Sequence, residues 1–213
     1  MRKLTLLFAS ILVLLFNSCS KDGTASFEET IVYEDNFNDA TGIFWTGTKG
    51  PVTIDIKDGY YNYLNEDSEY TYHITIPAIF DQSLPRTAIE ARYSLTNTGG
   101  DNPGSAGLIF NYKKSDKTFY RITLNGISKF RVDESVGEEY VVHQDWLYNK
   151  VIKNKAMNVV RVELRNDKLI FFINGTKVYE MVPEEKVTLD ECGFIVSYHT
   201  FLKADYFKAY RLM

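Results

Sequence analysis

The side chains in this chain that could do chemistry are few and scattered. Glu90-x-Arg92 and Glu163-x-Arg165 each set an acid and a base on one strand face. The simplest role for such i, i+2 pairs is charge compensation along or across strands. Glu90, Arg92, Asn111 and Arg121 are planar polar groups on the polar side of strand-like runs, the kind that grips sugar hydroxyls. Trp45 or Trp146, near loops, could stack on a pyranose ring, although most tryptophans in a body this size are expected in the core. His73, His143 and His199 lie in separate segments, unlike the convergent ligands a zinc ion needs. Cys192 stands in an apolar run, Glu191–Val196, and reads as a buried, inert thiol. Nucleophile-elbow, zincin, phosphate-loop and dinucleotide patterns are absent.

The elements that must position these groups are strands. Asn158–Arg165 places Val160, Val162 and Leu164 on one face and Arg161, Glu163 and Arg165 on the other. Glu69–Ile76 and Thr87–Leu95 alternate in the same way, as strands buried on one side do. Asn125-Gly126, Asn174-Gly175, Asp58-Gly59 and Asn166-Asp167 punctuate the runs with turn chemistry. The spacing predicts about twelve to fourteen strands over residues 31–213, with one short helix near Gln144–Lys155. No repeat or linker divides this stretch, so one all-β domain of two stacked antiparallel sheets is expected.

Composition narrows the function classes. Of 213 residues, 45% are hydrophobic and 15% aromatic, too apolar for a disordered chain. A net charge of −4 argues against nucleic-acid binding, which needs clustered Lys and Arg. The N-terminus is an address: Arg2 and Lys3 precede an apolar run from Leu4 to Phe16, too short to span a bilayer. Asn17-Ser18-Cys19 follows and resembles the lipobox of bacterial lipoproteins. That resemblance implies removal of residues 1–18, lipidation of Cys19 and a polar tether over residues 19–30. Acyl chains would hold the protein on a membrane of the cell envelope, most simply the outer membrane, on its periplasmic or surface face. Removal of the signal takes Arg2 and Lys3 and no acidic residue, so the mature charge is −6. Cys192 then has no disulfide partner, and the exported fold must depend on its core.

Several phrases in order resemble the concanavalin A-like lectin/glucanase jelly roll, including its keto-disaccharide hydrolase-type and laminin-G-like members. They are Tyr33–Phe37, Asp58–Tyr61, Ala106–Tyr112, Phe119–Leu124, Asn158–Arg165, Lys168–Val178, Gly193–Ser197 and Ala204–Phe207. The resemblance implies a jelly-roll sandwich of fourteen strands with one curved sheet and carbohydrate as the commonest ligand on the concave face. Sandwiches of this fold often bind one structural calcium ion at the rim, where Asp35 and Asp39 near the first strand and Asp205 on the last could converge; the simpler role of these acids is to shape solvated turns. Retaining glucanases of this fold carry a Glu-x-Asp-x-x-Glu strand, and no such spacing occurs here. The sequence therefore favours a non-catalytic binder of a glycan or other extracellular ligand, with Glu90, Arg92, Asn111, Arg121 and Trp146 as binding candidates. The alternatives are a glycoside hydrolase or lyase with different catalytic spacing, or an accessory that holds a partner protein.

Overall fold

A computed structural model of the protein describes residues 28–213 apart from 40, 41, 78, 81–83, 102 and 138. The expected signal, the lipobox Cys19 and most of the tether lie outside the described residues.

Alternation has produced two antiparallel sheets. The nine-stranded sheet contains β1 (Glu29–Asp35), β2 (Gly47–Lys49), β3 (Val52–Lys57), β4 (Tyr60–Asn65) and β6 (Arg86–Asn97). It is completed by β11 (Asn158–Arg165), β12 (Lys168–Ile173), β13 (Thr176–Met181) and β15 (Thr200–Leu212). Its order is β13-β12-β11-β6-β15-β4-β3-β2, with β1 also paired to β15. The six-stranded sheet runs β10 (Glu139–Tyr148), β9 (Lys129–Val136), β8 (Thr118–Asn125), β7 (Ser105–Lys113), β14 (Gly193–Val196) and β5 (Tyr72–Thr75). The expected all-β jelly-roll sandwich is thus present. The first strand takes in Glu29 and Thr30, which the sequence assigns to the tether.

The core is the sum of the inward faces. From the larger sheet come Ile89, Ala91, Tyr93, Val160, Val162, Leu202 and Phe207; the smaller contributes Leu108, Phe110, Ile122, Leu124, Phe130 and Phe194. Aromatic rings meet at its centre: Phe194 lies 5.5 Å from Phe44, 5.7 Å from Tyr61 and 5.8 Å from Phe207, centroid to centroid. Such tilted, stacked and edge-on pairs add to the burial of the rings. Cys192 is fully buried, and burial pushes its thiol up out of the reactive range, as expected for an inert cysteine.

Turn chemistry works at Asp58-Gly59, Asn166-Asp167 and Asn174-Gly175, where both residues take positive φ and close two-residue hairpins. Asn125-Gly126 differs. There the connection is three residues long and Ser128 carries the positive φ of 60°. The helix expected near Gln144–Lys155 is absent. Residues up to Tyr148 belong to β10, whose ladder to β9 shifts register twice, between Val142 and Gln144 and between Gln144 and Leu147. These shifts break the period of two and leave Trp146, Leu147, Val151 and Ile152 at spacings that mimic a helix. The following turns are pinned by Asn158, which accepts from Lys153 N and donates to Lys153 O and Ala156 O.

The chain ends define one pole of the sandwich. Glu28 N donates to Met213 O at 3.2 Å and Met213 N to Glu28 O at 3.0 Å, so the tether leaves beside the C-terminus. Thr200, at the other end of the 13-residue strand β15, lies about 40 Å away at the rise of an extended strand.

Candidate functional site

The two sheets separate the sequence candidates. Glu90 and Arg92 project from β6 on the outer face of the nine-stranded sheet, whereas Asn111, Arg121 and Trp146 belong to the six-stranded sheet. They do not share one concave face. Glu90 accepts from Tyr206 OH at 2.8 Å and from Arg161 Nη1 at 3.4 Å, and Arg92 Nη1 donates to Asp205 at 2.6 Å. Charge compensation is the role of both. A bulge in β15 between Ala204 and Tyr206 puts two consecutive residues, Asp205 and Tyr206, on this outer face, where both find partners on β6.

Asn111 anchors a loop. It sits at φ 55° in the bulge of β7, its N–H donates to Asp190 O at 2.9 Å, and its Oδ1 accepts from Thr188 N at 3.2 Å. The expected metal group does not assemble either. Asp35 accepts from Phe37 N at 2.8 Å and Tyr33 OH at 3.2 Å, while Asp205 is committed to Arg92. Asp39 joins neither of them in a metal-holding group; no cluster of three or more His, Cys, Asp or Glu side chains placed to hold a metal ion occurs among the described residues. The acidic loop after β4 is likewise structural: Asp67 accepts from the N–H groups of Glu69 and Tyr70 at 2.8 and 2.9 Å, which hold its carboxyl below the usual range.

Arg121 and Trp146 do come together, on the outer face of the six-stranded sheet. That face is recessed. Ile109, Phe119 and Ile195 point outward by alternation, yet they form a buried cluster of their own. Asp133, also outward, has no exposed surface. It lies directly across from Arg121 in the β8–β9 ladder and takes both arginines of the neighbourhood. Arg121 donates through Nε at 2.5 Å and Nη2 at 3.3 Å; Arg131, two residues away on β9, donates through Nε at 2.7 Å. The Arg121 guanidinium also covers the Tyr140 ring, 4.7 Å from its centroid. Two charged forks share one buried carboxylate, an arrangement that fixes their planes.

A pocket of about 260 Å³ opens beside this triad. Arg121, Arg131, Trp146 and Tyr198 line it together with Thr71, Thr123, Ser105, Ile195 and Ser197. No carboxylate lines it among the described residues. Asp133 has both oxygens engaged, and Asp145 sits exposed at the rim, 3.6 Å from Arg131 Nη1. Neither Asp133 nor Asp145 is among the residues that line the pocket. The pocket can bind through planar donors, hydroxyls and ring faces.

Alternation could have found Arg131 and Asp133, since Lys129–Val136 alternates too; the pairing that sets Asp133 against Arg121 is not local. Neither tryptophan is in the core. Trp146 is half-buried in the pocket, and Trp45, 43% exposed, lines a separate apolar pocket of about 550 Å³ with Tyr63, Tyr72 and His73. The histidines stay apart, as expected. His73 lies against Tyr112 and Phe119, and burial lowers its pKa; His143 stacks on Tyr120; His199 borders Gly99.

Solved structures of glucanases and of a carbohydrate-binding module share this two-sheet jelly-roll architecture. The β-glucanase of Bacillus licheniformis superposes with a TM-score of 0.61 at 7% identity, over 83% of this chain and 96% of that one. An endo-acting O-glycanase of the human gut microbiota, active in mucin breakdown, gives 0.60 at 11% over 86% and 100%. The CBM2 module of the evolved Dit of Lactobacillus casei BL23 phage J-1 gives 0.58 at 11% over 88% and 98%. No protein-family model matches the sequence and no match is found among curated proteins, so these likenesses carry the fold alone.

Proposed function

We propose that the protein is a lipid-anchored envelope lipoprotein whose jelly roll holds a glycan without cleaving it. The observation that carries this reading is the recessed pocket of the six-stranded sheet. Ring-bearing and planar polar side chains converge there with hydroxyls, and no carboxylate lines it among the described residues. Sugar sites are built from stacking surfaces and fixed hydrogen-bond donors. The layout of the chain agrees with an anchor at Cys19. Glu28 meets Met213 at one pole of the sandwich, and Tyr198 of the pocket lies near Thr200 at the other end of β15. Solved neighbours of the same fold include a carbohydrate-binding module as well as glucanases.

The test is a glycan array on residues 27–213 paired with a hydrolysis screen of the same sugars. Binding without turnover is the expected result; turnover would move the protein to the hydrolases or lyases, and silence in both would refute the glycan reading. Mass spectrometry of the membrane fraction should find Cys19 acylated at a new N-terminus, and an unmodified Cys19 would refute the anchor. A second reading, a partner-holding accessory, draws on the edge strand β10, where Tyr140, Val141, Val142, Leu147 and Tyr148 are exposed.

A further inference from the structure

Only one of the two carboxylates that face Arg121 and Arg131 is buried with them. Two guanidiniums converge on one carboxylate that is wholly buried, while their own side chains retain only 14% and 23% of their surface. Arg121 spends Nε and Nη2 on Asp133, and its Nη1 makes no hydrogen bond to another described residue. Arg131 spends Nε there; its Nη1 reaches Asp145 only at 3.6 Å, across the rim, where that carboxylate is 78% exposed. The second guanidinium is thus answered, among the described residues, only by a carboxylate open to water at the rim, and the pocket wall presents guanidinium donors held in plane. Such a fork, partly withdrawn from water, matches carboxylate and sulfate oxygens in geometry as well as charge.

Resting on the glycan reading above, we propose that this pocket selects saccharides bearing an anionic group, a uronate carboxylate or a sulfate ester, over their neutral counterparts. The acidic substituent meets the Nη groups of Arg121 and Arg131. The sugar ring lies toward Trp146 and Tyr198, and its hydroxyls face Thr71, Thr123 and Ser197. A volume of about 260 Å³ is slightly below the usual range of roughly 300–1,000 Å³ for small-molecule sites, and it suits one acidic ring rather than a longer segment.

The test uses the full-length protein in detergent on an array where each uronate or sulfated sugar is matched by its neutral counterpart in the same linkage. At least tenfold preference for acidic members is expected. Preference confined to uronates assigns a carboxylate to the site, preference confined to sulfated sugars assigns a sulfate, and both support the proposal. Equal binding of neutral and acidic partners overturns it and leaves the glycan function standing; no binding to any sugar overturns both. Arg131→Met keeps Asp133 paired through Arg121, and it should lower the acidic-to-neutral affinity ratio at least tenfold. An unchanged ratio overturns the proposal. Should that variant fail to fold, salt decides with the native protein: affinity for the acidic sugar must fall between low salt and about 0.15 M. An affinity indifferent to salt overturns the assignment.

Discussion

Replacing Asp133 by Asn tests the centre of the pocket most directly. The carboxylate is fully buried and accepts three hydrogen bonds, at 2.5, 2.7 and 3.3 Å, from two guanidiniums. Breaking a buried ion pair by removing one partner costs roughly 3–5 kcal/mol, because the remaining charge is left without compensation. Asn keeps the shape and one acceptor oxygen, and the arginines retain 14% and 23% exposure, so the low end of that range, about 3 kcal/mol, is expected. With a urea dependence of about 2 kcal/mol/M, the unfolding midpoint falls by about 1.5 M. The assay is urea unfolding of residues 27–213 at neutral pH, followed by tryptophan fluorescence. Arg131→Met removes only one of the two donors and should move the midpoint much less. In the double variant one uncompensated cation disappears, so part of the Asp133→Asn loss is recovered, a coupling expected for groups in direct contact. A midpoint for Asp133→Asn within about 0.3 M of the native value, a change of about 0.6 kcal/mol, would refute the claim that this carboxylate neutralises the arginines. The fixed guanidinium geometry inferred for the pocket would fall with it.

Three further outcomes follow from the geometry. Trp146→Ala, at a half-buried position on the pocket wall, should weaken glycan binding at least tenfold while leaving the unfolding midpoint near the native value; intact binding would remove the indole from the site. Gly107→Ala should destabilise the fold by about 2 kcal/mol or more, since a Cβ there would lie 1.9 Å from Ile122 O on the neighbouring strand; calorimetry showing a native melting temperature would contradict the close strand approach. His73 is packed against Tyr112 and Phe119 and its pKa is lowered by burial. The unfolded chain then takes up a proton near pH 6.5 that the folded one refuses, so stability present above that pH is lost as pH falls below it. His73→Phe should flatten this loss in urea midpoints compared at pH 7.5 and 5.5, and an unchanged slope would assign it to other groups.

Much of the fold was legible because burial on one side writes itself as a period of two. Val160, Val162 and Leu164 point inward as alternation requires, and so do Ile89, Ala91 and Tyr93. The failures sit where the period breaks. The register shifts of β10 gave Trp146 and Leu147 a helical disguise, and the bulge of β15 moved Tyr206 and Asp205 onto one face. A bulge changes parity by one residue, and nothing in the local string announces it. The three acids expected at a calcium rim also stand apart. Asp205 is near enough to Arg92 to pair with it at 2.6 Å, and a carboxylate neutralised by a guanidinium is a poor ligand for a cation.

The candidate site was half legible, and the missing half is a matter of sheet shape. A charged residue on the polar face of a strand normally meets water, so Arg121 reads as an ordinary surface group until its surroundings are known. What changes its meaning is that the outer face of the six-stranded sheet is recessed. Phe119 and Ile195 flank it outward yet remain 6% and 2% exposed, and Asp133 opposite it has no exposure at all. In that setting a cross-strand ion pair is withdrawn from solvent, where an exposed pair would contribute little. Its energy then depends on strict pairing, which makes the second arginine informative. Arg131 exceeds what Asp133 needs, and beyond it meets only the exposed carboxylate of Asp145 at the rim, 3.6 Å from its Nη1, among the described residues. On the other sheet Glu29, Glu90 and Glu163 all surround Arg161, so that cation is answered within the protein itself. The two arginine clusters therefore differ: one is enclosed by three carboxylates, and the other shares one buried carboxylate and one exposed at the rim, which leaves its guanidiniums able to present donors to the pocket.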